Sequence, residues 1–231
     1  MTRLAEFEDL PALRRIWTAV FGDDDADAFF TTFFDPGLCV CAVHDDKPVA
    51  AAYLLPAGNL ICDNKSIPCA MIYAVATLPR HRGRGYGSAV TRDLIPLGRA
   101  SGYPAVVLCP SEDSLFDYYS KRTEMVEWFY AVESRYSYVN THSMAADLIP
   151  VGCEDYGALR ETLLEPFVHI EAHPRILEYQ SVLCKIYGGG FFCMSSPIPF
   201  NIAPCPICPP IVSRFRLTYC NCLRIAFLIC C

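Results

Sequence analysis

The sequence predicts an α/β fold, a mixed central sheet flanked by helices, and three observations support this. Amphipathic helical stretches alternate with short apolar runs over roughly the first 140 residues. Within that region the apolar run "IPCAMIYAVATLP" leads into a glycine-rich loop, a helical stretch and a second apolar run, "PAVVLCP". That is the order of a strand, crossover helix, strand unit, which makes the two strands parallel. With 231 residues and 53% hydrophobic side chains, the chain is long enough to bury a sizeable core.

Each element has a local reason. "EFEDLPALRRIW" spaces Leu10, Leu13 and Trp17 as one helical face behind an acidic first turn. A second helix, "DDADAFFTTFF", stops at Asp35-Pro36-Gly37. "LCVCAVHDD" and "PVAAAYLLPAG", separated by a turn at Asp45, Asp46 and Lys47, form a hairpin. After a turn near Asp63 and Asn64, the run ending in "YAVATLP" has the composition of a central strand. From Ser88 to Ala100, Val90, Leu94 and Leu97 mark a helix, and Pro96 is expected to kink it or end it early. "SLFDYYSKR" is a further helix, and "EWFYAVESRYSYV" supplies one or two closing strands.

A fresh start follows. "EDLPALRR" (Glu8 to Arg15) returns as "EDYGALRE" (Glu154 to Glu161), and a spacing of 146 residues suits a duplicated domain rather than a solenoid. "HPRILEYQSVLCKIYGGGFF" then supplies a helix and the first strand of that copy. From Cys193 the chain is rich in Pro and Cys, lacks acidic residues and shows no period, so no element is assigned to it. The expected organisation is a first domain over 1–145, a partial second repeat over 146–192 and an irregular tail over 193–231.

Charge and cysteine usage narrow the function. A net charge of -6 argues against a general nucleic-acid binder but leaves room for a local anion site. No signal-peptide pattern opens the chain, and "LRIAFLICC" is less than half of the roughly 20 residues a spanning helix needs, so a cytoplasmic protein without membrane contact is expected. Of the fourteen cysteines, eight follow Tyr179; those in apolar runs, such as Cys69 and Cys109, read as small buried hydrophobes. His169, Glu171 and His173 do not form H-E-x-x-H, and Cys205, Cys208, Cys220 and Cys222 only loosely imitate a zinc ribbon, so no metal is expected.

The loop "RHRGRGYGS" carries the chemistry. A strand running into a glycine-rich turn and then a helix presents unpaired backbone N–H groups and the positive end of a helix dipole to an anion. Gly83, Gly85 and Gly87 let the backbone approach closely, while Arg82 and Arg84 can supplement the amides, so a diphosphate is the natural ligand. Two registers of R-x-x-G-x-G fit, Arg80 to Gly85 and Arg82 to Gly87; the second is preferred because its last glycine abuts Ser88, where the helix is expected to start. Neither G-x-x-x-x-G-K-[ST] nor G-x-G-x-x-G occurs.

In "YAVATLPRHRGRGYGSAV" the chain resembles the GNAT superfamily of N-acetyltransferases, whose acetyl-CoA motif is a strand, then R/Q-x-x-G-x-G/A, then a helix. The resemblance implies a GNAT-like sheet with acetyl-CoA as cosubstrate. Val75, Ala76 and Thr77 would meet the pantetheine arm and acetyl carbonyl, and Arg82, Gly83, Arg84, Gly85, Tyr86, Gly87 and Ser88 the pyrophosphate. It further implies that Tyr119 protonates the departing thiolate, with Tyr118 its nearest rival, although Thr123 and Glu124 stand where Gly-Phe is usual. Tyr73 takes the position of the family's frequent Glu base, which calls for a base acting through water or an amine arriving neutral. The tandem layout is similar to acetyltransferases related to the enhanced intracellular survival protein, whose base is the terminal carboxylate. The implied activity is acetyl transfer to a primary amine of a small molecule or peptide by direct attack in a ternary complex. The acidic cluster Asp23, Asp24, Asp25 and Asp27 lies near the acceptor cleft of relatives, where it would suit a cationic amine; otherwise it is a solvated helix start. A CoA-binding pseudoenzyme is the alternative, and a nucleic-acid contact at the arginine loop a third reading.

Overall fold

The structure is a computed structural model that describes residues 1–135, 148–194 and 220–230; residues 129–135, 148, 194 and 220–230 are described by their backbone. A short strand β1 (Thr2–Leu4) precedes helices α1 (Leu10–Phe21) and α2 (Ala26–Thr32). Strands β2 (Cys39–His44), β3 (Lys47–Cys62) and β4 (Lys65–Thr77) then form an antiparallel meander. Its two tight turns put Asp45 and Asp46, and Asp63 and Asn64, at positive φ, the conformation of a two-residue turn matched to strand twist. Helix α3 (Tyr86–Ala100) crosses over to β5 (Ala105–Leu108), which pairs parallel with β4, and α4 (Asp113–Arg122) leads to β6 (Val126–Arg135).

Further along come β7 (Leu148–Pro150), α5 (Cys153–Leu164), β8 (His169–Ala172), α6 (Pro174–Ile186), β9 (Phe192–Met194) and β10 (Cys220–Cys230). The main sheet runs β1-β2-β3-β4-β5-β10-β6, with β8 added to β3, while β7 and β9 form a separate pair. All the pairings except β4 with β5 are antiparallel, so this is the mixed sheet that the sequence predicts.

Both faces of the sheet are covered, which explains why its strands read as nearly continuous apolar runs. Alternate residues divide between two cores. Cys41, Tyr53, Leu55, Met71 and Val107 join Leu13, Ile16, Trp17 and Phe29 on one face. Ala42, Ala52, Leu54, Ile72 and Val106 join Val90, Leu94 and Ile95 of α3 on the other. Ile170, Ile176, Tyr179 and Leu183 belong to the first core, so segment 148–194 packs into the same hydrophobic cluster as α1 and α2.

Four features depart from the sequence expectation. Helix α3 starts at Tyr86 rather than Ser88 and continues through Pro96 to Ala100. Pro96 lies on the solvent-exposed side, where water can take the carbonyl it leaves unbonded, while Val90, Leu94 and Ile95 stay buried. Strands β7 and β8 are too short to show a period. Strand β9 begins at Phe192, in the stretch where a strand is expected, whereas within 193–231, to which the sequence assigns no element, β10 is a strand lying between β5 and β6. Part of the predicted closing strands (136–147) and the rest of the tail, including Cys205 and Cys208, lie outside the described residues.

Candidate functional site

The site begins where β4 outlasts its parallel partner. Register runs from Cys69 with Ala105 to Ile72 with Leu108, where β5 ends, while β4 continues to Thr77. In that overhang the pairing with β3 shifts, Ala51 opposing Ala76 and Tyr53 opposing Tyr73, so β4 carries one extra residue. Ala74 accordingly sits at φ 50°, an uncommon conformation for a residue with a Cβ. Val75 and Thr77 line a cleft beyond the bulge, whereas Ala76 is buried in the core shared with α1.

The loop folds onto the start of α3. Leu78 N–H donates to the Val49 carbonyl, and Arg82 Nε donates to the Thr77 carbonyl at 3.3 Å. Gly83 and Gly85 adopt φ 75° and 80°, and Gly85 is the residue before the first helical turn. No side chain caps that end; Ser88 Oγ instead donates to the Gly85 carbonyl at 3.0 Å. The N–H groups of Tyr86, Gly87 and Ser88 therefore have no intrahelical acceptor and face the cleft end of α3.

The opposite wall is α4, through Tyr118, Tyr119 and Arg122, with Val20 of α1 and His81 completing a cleft of about 340 Å³. The walls meet closely at Gly87, where a Cβ would come 3.3 Å from Tyr118 Oη and 3.6 Å from Thr77 Oγ1. Tyr119 is buried, and burial, with Tyr118 as a secondary cause, pushes its phenol well above the ordinary value, so it holds its proton throughout the neutral range. The Arg122 guanidinium lies 4.7 Å from the centre of the Tyr118 ring.

Of the residues singled out in the sequence, the structure brings Val75, Thr77, Arg82, Gly83, Gly85, Tyr86, Gly87 and Tyr119 together around this cleft. Arg84 is exposed. Tyr73 does not line the cleft; its ring packs among Trp17, Phe29 and Tyr179 at 5.6 to 6.4 Å. The acidic cluster is engaged locally: Asp25 accepts from Trp17 Nε1 at 3.1 Å, Asp27 pairs with Arg14, and Asp23 accepts from Thr18. His169, half of the discounted metal motif, bonds Glu161 and the Phe167 carbonyl. Among the described residues no group of three or more His, Cys, Asp or Glu could hold a metal ion, and no helix is long and apolar enough to cross a membrane. Sequence reasoning missed Val20, His81 and Arg122. Arg122 had a usable signal, because it lies four residues after Tyr118 and three after Tyr119 and so shares their helix face.

A two-walled cleft where β4 outlasts its parallel partner, floored by a glycine-rich helix start, defines an α/β domain with an open anion-accessible cleft. The sequence model of the Acetyltransferase (GNAT) domain matches residues 1–122. The chain belongs to the GNAT acetyltransferase family. Among solved structures it is similar to a GCN5-related N-acetyltransferase from Anabaena variabilis, at 17% identity and TM-score 0.60, over 78% of this chain and 47% of that one. A GCN5-related N-acetyltransferase from Kribbella flavida aligns at 15% identity and TM-score 0.58, over 99% and 70%. Eis1 from Mycobacterium abscessus aligns at 14% identity and TM-score 0.60, over 85% and 52%. These likenesses establish the fold, and the chain spans about half the length of the first and third of these proteins. A comparison with curated proteins finds no match.

Proposed function

We propose that the protein is an acetyl-CoA-dependent N-acetyltransferase acting on a primary amine of a small molecule or peptide. The observation that carries this reading is a single cleft joining the open helix start at Gly85 to Tyr119. The residues present fit the carrier: nothing lies within 4 Å of a Cβ placed on Gly83, and Gly85 would meet only Ser88 Oγ at 3.9 Å, so the backbone is accessible to a diphosphate.

When bound, acetyl-CoA supplies a thioester acyl group. The amides of Tyr86, Gly87 and Ser88, with Arg82, would hold the diphosphate, and the β4 overhang at Val75, Ala76 and Thr77 would take the pantetheine arm and polarise the acetyl carbonyl. Acyl transfer would form a bond from the acceptor nitrogen to the carbonyl carbon and break the carbon–sulfur bond, and Tyr119 would deliver its proton to the leaving sulfur. No covalent enzyme intermediate is needed. Tyr73 stands where a family base is frequent, so an ammonium acceptor would lose its first proton to water or arrive already neutral, and the proton the nitrogen sheds on becoming an amide would return through water to the Tyr119 phenolate.

A second reading, a CoA-binding pseudoenzyme, is favoured by Tyr73 lying outside the cleft and by Thr123 and Glu124 in place of Gly-Phe. Calorimetric titration with acetyl-CoA, followed by thiol release on a panel of polyamines, aminoglycosides and peptide amines, separates the two. Binding with turnover is expected; tight binding without turnover on any amine selects the pseudoenzyme, and absence of binding ends both.

We also read residues 146–192 as a partial second repeat. The support is positional: β1 and β7 lie at the same 146-residue offset as the repeated octapeptides, and each is followed by a helix and pairs antiparallel with a later strand.

A further inference from the structure

We infer that Arg122 clamps the diphosphate from the α4 wall, using the Tyr118 ring as its platform. The inference rests on the acetyl-CoA reading and extends it to a residue outside the glycine-rich loop.

Several cations of the described residues are committed elsewhere. Arg3 pairs with Asp9, Arg14 with Asp27, Arg99 with Glu124, Lys121 with Asp117, and Arg160 with Glu161. Arg122 has no carboxylate partner among the described residues, and its contact is the face of Tyr118 four residues earlier. Lys121, one position away, uses its own i,i+4 partner Asp117 and does not line the cleft as Arg122 does, so adjacent positions on α4 point their charges in different directions.

Tyr118 connects the two walls. Its hydroxyl lies where a Cβ on Gly87 would touch it at 3.3 Å, and its ring carries the Arg122 guanidinium. Arg122 is thereby presented to the same cleft as Arg82, whose Nε is held by the Thr77 carbonyl while its terminal nitrogens stay available. Two guanidinium groups lining one cleft together with the uncapped start of α3 suit a ligand carrying two adjacent negative charges. Arginine serves here better than lysine because a planar, weakly hydrated guanidinium can stack on a ring and still direct paired N–H groups at phosphate oxygens. Aromatic stacking also reduces the side-chain freedom lost when the clamp engages.

The test measures CoA and dephospho-CoA affinity by calorimetry for the wild-type chain and for Arg122→Ala, Arg122→Lys, Tyr118→Phe and Tyr118→Ala, at low and high salt. Dephospho-CoA keeps the diphosphate and lacks the 3′-phosphate. Arg122→Ala is expected to weaken both ligands by the same factor, about tenfold, as for loss of a charge-assisted contact. Arg122→Lys and Tyr118→Ala are expected to fall between Arg122→Ala and wild type, and Tyr118→Phe, which keeps the ring, to bind like wild type. The gap between wild type and Arg122→Ala narrows as salt screens the contact. Unchanged affinity in Arg122→Ala overturns the clamp, as does a loss confined to CoA, which would place the arginine on the 3′-phosphate. A loss that persists undiminished at high salt assigns Arg122 to wall packing and overturns it too. A wild-type chain that binds neither ligand removes the acetyl-CoA reading itself, whereas wild-type binding matched by Arg122→Ala removes only the clamp.

Discussion

Gly85 holds φ 80° immediately before α3, and a side chain there would meet strain before it met any neighbour other than Ser88 Oγ at 3.9 Å. Gly85→Glu adds that strain and a negative charge at the start of the helix, where the diphosphate is proposed to sit. Titration calorimetry of this variant is expected to show no acetyl-CoA binding, and retained wild-type affinity would detach the loop from the ligand. Tyr119 is different in kind, because its buried phenol carries a proton rather than a binding contact. Tyr119→Phe is expected to keep acetyl-CoA affinity and slow transfer by roughly 100-fold, read as single-turnover CoA release. Gly85 stands out in the sequence because glycine spacing and a loop placed after a strand are local features, whereas Tyr119 comes only from the family resemblance. Tyr73 was legible only as a position on a strand. Tyr73 follows Cys69 and Met71 onto the first core, while the extra residue at Ala74 re-aims the residues after it, and no local pattern announces that bulge.

At the scale of elements, local chemistry and packing can disagree, and α3 shows which prevails. Proline inside a helix removes a hydrogen bond and crowds the preceding turn, yet α3 passes Pro96 unbroken to Ala100. Its inner face, Val90, Leu94, Ile95 and Gly98, lies against the sheet so closely that a Cβ on Gly98 would come 2.6 Å from Val106 Cγ2. The anchoring of β1 shows a charge effect of the same local kind. Asp9 takes two hydrogen bonds from Arg3, at 2.6 and 2.9 Å, and one from the Glu6 N–H at 2.9 Å. The Arg3 guanidinium, the largest cause, holds the Asp9 carboxyl below its ordinary 3.8. A depressed carboxylate contributes stability that is complete above its unfolded pKa and is lost as pH falls through the folded one. The melting temperature of the wild-type chain is therefore expected to drop below about pH 3.8 more steeply than that of Asp9→Asn, monitored by circular dichroism. Parallel acid profiles for the two proteins would contradict this.

At the scale of the whole molecule, the C-terminal segment is integral to the N-terminal core. Strand β8 pairs with Gly58 to Ile61 of β3, on the side that β2 leaves open, and Tyr179 of α6 packs against Phe29, Phe33 and Tyr73. Gly58 permits that pairing: at φ 125° a Cβ there would lie 1.8 Å from the Glu171 carbonyl oxygen and 2.7 Å from the His173 nitrogen. Gly58→Val is expected to break the β3–β8 register, cost more than about 3 kcal/mol, and expose segment 148–194 to limited proteolysis. Wild-type protease resistance in that variant would show that β8 docks without this close approach.

The sequence alone determined the α/β class, the order of elements from α1 through α4, the parallel β4–β5 unit and the glycine-rich turn between strand and helix, because each depends on neighbours within one turn or one strand, whereas the three-residue β1 carries no such signal. The 146-residue repeat was equally legible as text. Tertiary structure decided where the partners of these elements come from: β8 on β3, β10 between β5 and β6, Tyr179 beside Tyr73, and Arg122 across the cleft from Gly85. The physical reason is that strand pairing and side-chain burial join residues distant in sequence, and a short strand such as β8, paired along one edge, carries too few residues to reveal its partner by periodicity.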